Sequence, residues 1–238
     1  MERSLAHVCY PLSVRIAIAL LLTLAACKSG DDPGRAAPPA APPVDRRPAV
    51  VFLGDSLTAG LGLSADEAVP ARIAARIDQA GLPLRVVNGG RSGDTSAGGL
   101  ARLAWYLRPD VGMAALVVNL GSNDALRGLS LVELEKNLTA IVTRAKAAAP
   151  SAPVLLVALE TFPNMGEQFT AEYRAIFPRV AQATVAVLVP FPLREVALDP
   201  ALVQADGVHP NAAGAEKMAA TMWPTLEPVL RRLAAARH

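Results

Sequence analysis

From Ala49 onward, short apolar runs alternate with longer segments in which apolar residues recur every three or four positions. A short apolar run predicts a buried strand of a parallel sheet, and the longer spacing predicts an amphipathic helix. Strands that alternate with helices are typical of βαβ units, so the pattern predicts an α/β domain. The predicted strands are 50–53, 84–88, 114–120, 154–159 and 185–189. The predicted helices are 70–79, 97–107, 131–148, 171–183 and 212–236, the last two with prolines at 178, 224 and 228 that could interrupt or bend them.

Polar residues follow three of the predicted strands at the point where each strand ends. The first strand runs into Ser56, the second into a glycine-rich loop that contains Gly93, and the third into Asn123. Ligands of open α/β sheets bind at the carboxyl edge, so we expect these residues to lie together there. Each of them alone also fits an ordinary role, because Ser56 and Asn123 could cap helices and Gly93 could be a turn glycine.

Of the three histidines, only His209 is placed to act as a fixed base. His7 lies in an amino-terminal segment that we expect to be removed, and His238 is the last residue, where chains fray. Asp206 precedes His209 by three residues. A serine becomes a good nucleophile when a base accepts its proton, and the base needs an acid that orients it. Ser56, Asp206 and His209 are therefore candidate catalytic residues.

An ester-cleaving serine also needs hydrogen-bond donors for the charge that develops on the carbonyl oxygen. The backbone N–H groups of Ser56 and Gly93 and the side-chain amide of Asn123 are suitable donors. They are the candidate oxyanion hole.

Composition limits the classes of function. The chain is 52% apolar and 18% charged, which supports a sizeable core. A net charge of +2, without basic runs interleaved with aromatic residues, argues against a nucleic-acid partner. No cluster of Cys and His has the spacing of metal ligands. We therefore expect no metal or other cofactor, and we expect a monomer.

The first 26 residues have the pattern of a secretory signal: basic residues precede an apolar run that is too short to span a bilayer. The run ends in Leu24-Ala25-Ala26-Cys27, which resembles the bacterial lipobox, whose cysteine is lipidated and becomes the new amino terminus. Cys9 would be removed with the signal, which leaves Cys27 without a disulfide partner. The alternative is a plain signal peptide in which Cys27 is incidental.

Residues 27–48 are rich in proline, alanine and charge and lack hydrophobic periodicity, which predicts an extended tether for a domain spanning residues 49–238. In the resembled lipoproteins, a non-acidic residue after the cysteine, here Lys28, goes with sorting to the outer membrane. We therefore expect a lipid-anchored protein at the periplasmic face of a bacterial membrane.

Four blocks of the sequence resemble those of the SGNH (GDSL) hydrolase family. They are Gly54-Asp55-Ser56-Leu57, Gly93, Gly121-Ser122-Asn123-Asp124 and Asp206-Gly207-Val208-His209. The sequences Ser92-Gly93-Asp94-Thr95-Ser96 and Asn123-Asp124-x-Leu126-Arg127-Gly128 are typical of its bacterial arylesterase, thioesterase I and lysophospholipase L1 group. The resemblance covers about residues 50–223.

This resemblance implies a flavodoxin-like α/β/α sandwich with a five-stranded parallel sheet. It also implies that Ser56 is the nucleophile, His209 the base and Asp206 its partner, with Gly93 and Asn123 as oxyanion donors. Two positions depart from the family: Ser122 replaces a common glycine, and Arg91 stands where a small or apolar residue is usual.

The leading hypothesis is a serine hydrolase of aryl and short- to medium-chain acyl esters, and of acyl thioesters or lysophospholipids. The alternatives are an acyltransferase of the same family and a catalytically idle, membrane-tethered binding protein. The complete set of candidate residues counts against the second alternative. We expect the loop Thr161 to Phe169 to overhang the serine and to bind the acyl chain through Phe162, Met165 and Phe169, unless these side chains pack back onto the domain.

Overall fold

A parallel sheet of five strands lies at the centre of the computed structural model, which describes residues 45–161, 163–197 and 199–236. Its strands are β1 (Ala49–Gly54), β2 (Arg85–Gly90), β3 (Met113–Asn119), β4 (Val154–Val157) and β5 (Val187–Val189). They are arranged in the order β2-β1-β3-β4-β5, and every neighbouring pair is parallel. After β2 the chain crosses β1 and forms β3 on its other side, so the strand order reverses between β1 and β3. Sheets with this order bind ligands at this point of reversal, the switch point.

The α-helices of the described residues surround the sheet. They are α1 (Ser56–Ala59), α2 (Val69–Gln79), α3 (Ser96–Tyr106), α4 (Ser122–Leu126), α5 (Leu131–Ala148), α6 (Glu167–Thr184) and α7 (Ala212–Ala235). Two short 3₁₀ helices span Pro109–Val111 and Pro163–Met165. Helix α2 packs against α7, and α5 packs against both α3 and α6. The predicted α/β class and three-layer sandwich are confirmed.

The central strands read as continuous apolar runs because helices cover both faces of the sheet. All six residues of β1 are buried, as are the last six of β3. Helix α2 adds Ile73 and Ile77 to the core, and α5 adds Leu134, Leu138 and Ile141. These positions recur every three or four residues, as the sequence pattern predicted.

Helix α6 differs most from the prediction. It begins at Glu167 rather than at residue 171, directly after Gly166, whose φ is +92°. It also continues through Pro178 without a break. A proline in a helix interior removes one hydrogen bond, but Phe177 and Val180 are buried on either side of it and keep both halves on the core. Helix α7 continues in the same way through its two prolines.

The fifth strand is shorter than predicted. Val185 ends α6 in the left-handed region, with φ +54°, and its N–H bonds back to the helix. This turn uses two of the residues expected in the strand, so that β5 begins at Val187.

Two short helices replace turns that the sequence predicted as irregular. Helix α1 follows β1 directly, and Asp55 caps it by accepting a hydrogen bond from the Leu57 N–H at 3.0 Å. Helix α4 follows β3 after Gly121, whose φ of +132° suits only glycine. Both helices stand at the carboxyl edge, on the two sides of the switch point.

Several predictions lie outside the described residues: the signal segment 1–26, Cys27, all but the last four residues of the tether, and Phe162. Among the helices that the structure describes, none is both long enough and apolar enough to cross a membrane.

Candidate active site

The side chains of Ser56, His209 and Asp206 form one chain of hydrogen bonds at the carboxyl edge of the sheet. Ser56 is the first residue of α1. Its Oγ lies 3.0 Å from His209 Nε2, and His209 Nδ1 lies 2.6 Å from Asp206 Oδ2. When Nδ1–H donates to the carboxylate, Nε2 is left to accept the serine proton. The structure thus brings the three candidates together in the order that nucleophilic catalysis requires.

Asp206 is held as an anion by its own turn. Its Oδ1 accepts hydrogen bonds from the N–H groups of His209, at 3.0 Å, and Val208, at 2.9 Å. These two bonds, followed by the bond to the His209 ring, lower the pKa of Asp206 to about 2. The carboxylate therefore stays charged beside the imidazole above about pH 4, where it can stabilise an imidazolium.

The loop that carries His209 is tied to the segment after α1 by Gln204. The Gln204 N–H donates to the His209 carbonyl at 2.8 Å, and its side chain donates to the carbonyls of Leu61, at 2.7 Å, and Pro210, at 2.8 Å. Since Leu61 follows α1 closely, these bonds hold the histidine loop against the segment that follows the serine. The sequence analysis did not identify Gln204, because this contact spans 143 residues of the chain.

The other two candidate oxyanion donors, Gly93 and Asn123, lie in a loop and in a short helix that are neighbours at this edge. Gly93 lies in the loop between β2 and α3 with φ +78°, and Asn123 lies in α4. The Asn123 side-chain amide donates to the Asp94 carbonyl at 2.9 Å. Arg127 holds the same loop by donating to the Gly93 carbonyl at 2.7 Å.

A second carboxylate joins α4 to the end of the loop that carries Gly93. Asp124 accepts hydrogen bonds from the Ser96 hydroxyl at 2.5 Å and from the Ser96 N–H at 2.8 Å. Both residues are buried. Helix α4 is therefore bound to the start of α3, which limits how Asn123 can move relative to Gly93.

Asp55, next to the candidate nucleophile, is fully buried. Burial raises its pKa to about 6, and the hydrogen bond from the Leu57 N–H only partly offsets this effect. Ser122, one of the two departures from the family, lies near enough to lower the pKa of this carboxyl group as well. The sequence analysis missed this effect because local sequence does not reveal burial of a turn residue.

Arg91, the other departure, is exposed. Its side chain lines a surface groove of about 710 Å³ beside β2, which is also lined by Arg85, Trp105 and Arg108. The Arg91 N–H donates to the Gly54 carbonyl at 3.0 Å, so its backbone ties the end of β1 to the loop after β2.

The expectation for Phe169 is wrong in its location. Phe169 lies in α6, not in a loop, and is partly buried against the core. Its ring stacks on Tyr173 with centroids 6.3 Å apart. Met165 remains in the segment before α6, where the Thr161 hydroxyl donates to its sulfur at 2.8 Å. The structure therefore places these two side chains in different elements, although the sequence analysis had grouped them in one loop.

One arginine near the site was not identified from the sequence. Arg102, in α3, bonds to the Asp94 carboxylate and to the Gly54 carbonyl. It stands three residues after the buried Gly99 and directly before the buried Leu103. A charged residue on the core-facing side of a predicted helix is the signal that could have found it.

The fold and this Ser–His–Asp arrangement define an α/β protein with the parts of a serine-dependent hydrolase. Residues 52–217 match the GDSL-like Lipase/Acylhydrolase family, and the chain belongs to this family.

Three proteins of related sequence or structure are similar to the chain over most of their length. The chain is 38% identical over 181 residues to Esterase TesA of Pseudomonas aeruginosa, and this alignment covers 76% of this chain and 89% of that protein. It is also 38% identical over 181 residues to Thioesterase 1/protease 1/lysophospholipase L1 of Escherichia coli, covering 76% of this chain and 84% of that protein. The crystal structure of the psychrotrophic esterase EstA from Pseudoalteromonas sp., inhibited by monoethylphosphonate, is 28% identical with a TM-score of 0.72. That match covers 77% of this chain and 98% of EstA.

Proposed function

We propose that the protein hydrolyses carboxylic esters through a covalent acyl-enzyme on Ser56. The observation that carries the proposal is the continuous hydrogen-bond chain from Ser56 through His209 to Asp206. Membership of a lipase and acylhydrolase family supports the same chemistry.

In the first half-reaction, His209 Nε2 accepts the Ser56 proton while Oγ attacks the ester carbonyl. The imidazolium that forms is stabilised by Asp206, and its proton passes to the departing alcohol or thiol. Water then takes the place of the leaving group. His209 accepts a proton from this water while the water oxygen attacks the acyl carbonyl. The bond from the carbonyl carbon to Ser56 Oγ then breaks, the imidazolium returns its proton to Oγ, and the acid leaves.

The negative charge of each tetrahedral intermediate needs hydrogen-bond donors near the carbonyl oxygen. We assign this role to the backbone N–H groups of Ser56 and Gly93 and to the Asn123 amide. The bond from Asn123 to the Asp94 carbonyl uses one of the two amide hydrogens, which leaves the second for the oxyanion.

For the substrate, we propose aryl and short- to medium-chain acyl esters, with acyl thioesters and lysophospholipids as further members of the range. The names of the relatives, an esterase and a thioesterase/lysophospholipase, support this range. Substrate binding by Phe162 and Met165 stays a prediction.

We also propose that the mature chain begins at Cys27, carries lipid there and is anchored at the periplasmic face of the outer membrane. The sequence Leu24-Ala25-Ala26-Cys27-Lys28 and the proline-rich segment after it support this proposal.

The proposed function is tested by reacting the purified protein with a fluorophosphonate probe and with p-nitrophenyl esters from C2 to C16. Ser56→Ala should lose labelling and nearly all hydrolysis. His209→Ala should hydrolyse at less than about a thousandth of the wild-type rate, and Asp206→Asn should be slow but measurable. Ser64→Ala, at an exposed serine of the same domain, should behave as wild type.

Hydrolysis above a tenth of the wild-type rate in Ser56→Ala would overturn the assignment. Labelling of Ser56 with turnover only in the presence of an alcohol acceptor would instead indicate an acyltransferase. A protein that is neither labelled nor active would be a binding protein.

A further inference from the structure

The guanidinium of Arg102 connects three segments that meet beneath the candidate active site. Its Nε donates to Asp94 Oδ2 at 2.6 Å, and one terminal nitrogen donates to the Gly54 carbonyl at 2.8 Å. The other terminal nitrogen donates to the Gly89 carbonyl at 2.6 Å and to the Tyr106 hydroxyl at 3.0 Å. Four of its five N–H groups therefore have acceptors.

Two of these acceptors are carbonyls at the carboxyl ends of the strands that lead to the site. Gly54 is the last residue of β1, two residues before Ser56, and its carbonyl also accepts the Arg91 N–H. Gly89 stands next to the last residue of β2, before the loop that carries Gly93. Arg102 thus binds the nucleophile's strand and the oxyanion loop's strand at the same time.

The third acceptor, Asp94, connects Arg102 to the Asn123 amide. While the Asp94 carboxylate receives Arg102, its backbone carbonyl receives Asn123 Nδ2 at 2.9 Å. On its other side the carboxylate lies directly against Gly98, because a Cβ on that glycine would lie 2.0 Å from Asp94 Oδ1. Asp94 is therefore held between Gly98 and Arg102.

The pair between Arg102 and Asp94 is mostly enclosed, with side-chain exposures of 15% and 10%. In such an environment a charge-assisted bond is stronger than at the surface, and the planar guanidinium matches several acceptors at fixed angles. A lysine in its place would present a single point charge and could not reach all of these oxygens together.

We propose that Arg102 is a positioning residue for oxyanion stabilisation. It acts through Asp94 and the two strand-end carbonyls, and it holds Gly93 and Asn123 at the correct distance from Ser56. The inference rests on the proposed ester hydrolysis. It adds a residue that touches neither the substrate nor His209.

The test compares Arg102→Met and Arg102→Lys with wild type in the hydrolysis of p-nitrophenyl butyrate. We expect kcat of Arg102→Met to fall about 10- to 100-fold with KM changed less than about twofold, because the oxyanion forms only after binding. Arg102→Lys should recover part of this loss.

Arg76→Met is the matched control. Arg76 forms an ion pair with Glu216 between α2 and α7 and is exposed to a similar extent, 18%. Loss of that ion pair should lower thermal stability without lowering kcat. A similar kcat loss in both variants would show that Arg102 acts only through general stability.

A double-mutant cycle with Asn123→Ala separates positioning from a merely structural role. If Arg102 acts through Asn123, Arg102→Met should cost clearly less in the Asn123→Ala background than in wild type. Full additivity, or an effect on KM alone, would overturn the proposal.

A substitute variant and the wild-type activity distinguish a failure of this proposal from a failure of folding or of the proposed function. If Arg102→Met does not fold by circular dichroism, Asp94→Asn replaces it in the same cycle, with the same expected kcat loss. If wild type is neither labelled by fluorophosphonate nor active, the proposed function has failed. If wild type is active and Arg102→Met retains its kcat, only the role of Arg102 has failed.

Discussion

The reactivity proposed for Ser56 depends on contacts that single side chains make. His209 lies within hydrogen-bond distance of the hydroxyl, and Asp206 keeps its charge because three donors surround it. For a carboxyl group whose pKa is lowered on folding, the stabilising effect is present above the unfolded pKa of 3.8 and is lost as the pH falls towards 2. Asp206 therefore serves as a constant anion over the neutral range rather than as a switch.

Asn123→Ala tests the oxyanion site directly. We expect kcat to fall about 10²- to 10³-fold with a much smaller rise in KM, because the amide would bind the developing oxyanion and not the resting carbonyl. Steady-state kinetics with one p-nitrophenyl ester measure both constants.

Asn137→Ala is a suitable control. This half-buried asparagine donates to the Ser96 hydroxyl at 3.1 Å and lies in α5, so its loss should leave kcat within a few-fold of wild type. If Asn123→Ala raises KM alone, Asn123 is a binding or structural residue instead.

At the scale of elements, two structural requirements meet at the end of β1. The strand must be buried and apolar, while the turn after it must present a serine and cap α1. Asp55 fulfils the capping role, but its carboxylate is buried and its pKa rises to about 6. Ionisation of Asp55 therefore destabilises the native state, an effect that appears between its unfolded and folded pKa values.

Asp55→Asn should stabilise the protein at pH 7. Between pH 3.8 and about 6 the folded state binds more protons at this site than the unfolded state, so its contribution to stability falls as the pH rises. The difference amounts to about 3 kcal/mol, at 1.36 kcal/mol per pKa unit. Asparagine is an equally good cap.

Urea unfolding of wild type and Asp55→Asn at pH 4, 5, 6 and 7 measures this effect. The difference in unfolding free energy should grow with pH, while Asp66→Asn, at an exposed carboxylate, should show no such growth. A difference that is independent of pH would contradict the burial argument.

At the start of α6, we expect Phe169 to affect the stability of the protein and the preceding Met165 to affect its substrate specificity. Because Phe169 stacks on Tyr173 and packs on the core, Phe169→Ala should destabilise the protein by about 1–3 kcal/mol. The ratio of octanoyl to acetyl ester kcat/KM should stay unchanged, whereas Met165→Ala should lower this ratio if the preceding segment binds the acyl chain.

Thermal unfolding and ester kinetics on the two variants decide this point. A changed chain-length preference in Phe169→Ala with unchanged stability would restore Phe169 as a substrate-binding residue. An unchanged preference in Met165→Ala would remove the segment from acyl selection.

At the scale of the whole molecule, the strand order places the proposed chemistry. Strands β1 and β3 are neighbours in the sheet, and α1 and α4 follow their carboxyl ends. Ser56 and Asn123 therefore come from the two sides of the switch point. The histidine loop then reaches the same edge from the far end of the chain.

Cys27→Ser tests the proposed anchor. If Cys27 is lipidated, wild type should sediment with the bacterial membranes and require detergent for release, and Cys27→Ser should appear in the soluble periplasmic fraction with the same activity per molecule. Cys9→Ser, within the predicted signal, should still sediment. A soluble wild-type protein with an unmodified amino terminus near the Ala25-Ala26 pair would indicate a plain signal peptide.

The sequence by itself determined the class of fold and the candidate catalytic groups. Buried strands leave short apolar runs and amphipathic helices leave a spacing of three to four residues, because burial of each residue follows the short-range geometry of its own element. Helix 131–148 was therefore predicted to the residue. The candidate base was identified because only one histidine of the predicted folded domain lies near an aspartate in the sequence.

Only the tertiary structure decided how these elements meet. Ser56 and His209 are 153 residues apart, and Arg102 and the Gly54 carbonyl are 48 apart. The continuation of α6 through Pro178, the burial of Phe169 and the raised pKa of Asp55 likewise depend on what packs against each residue from elsewhere in the chain. Such contacts are set by the packing of layers on the sheet, and a local pattern carries no record of them.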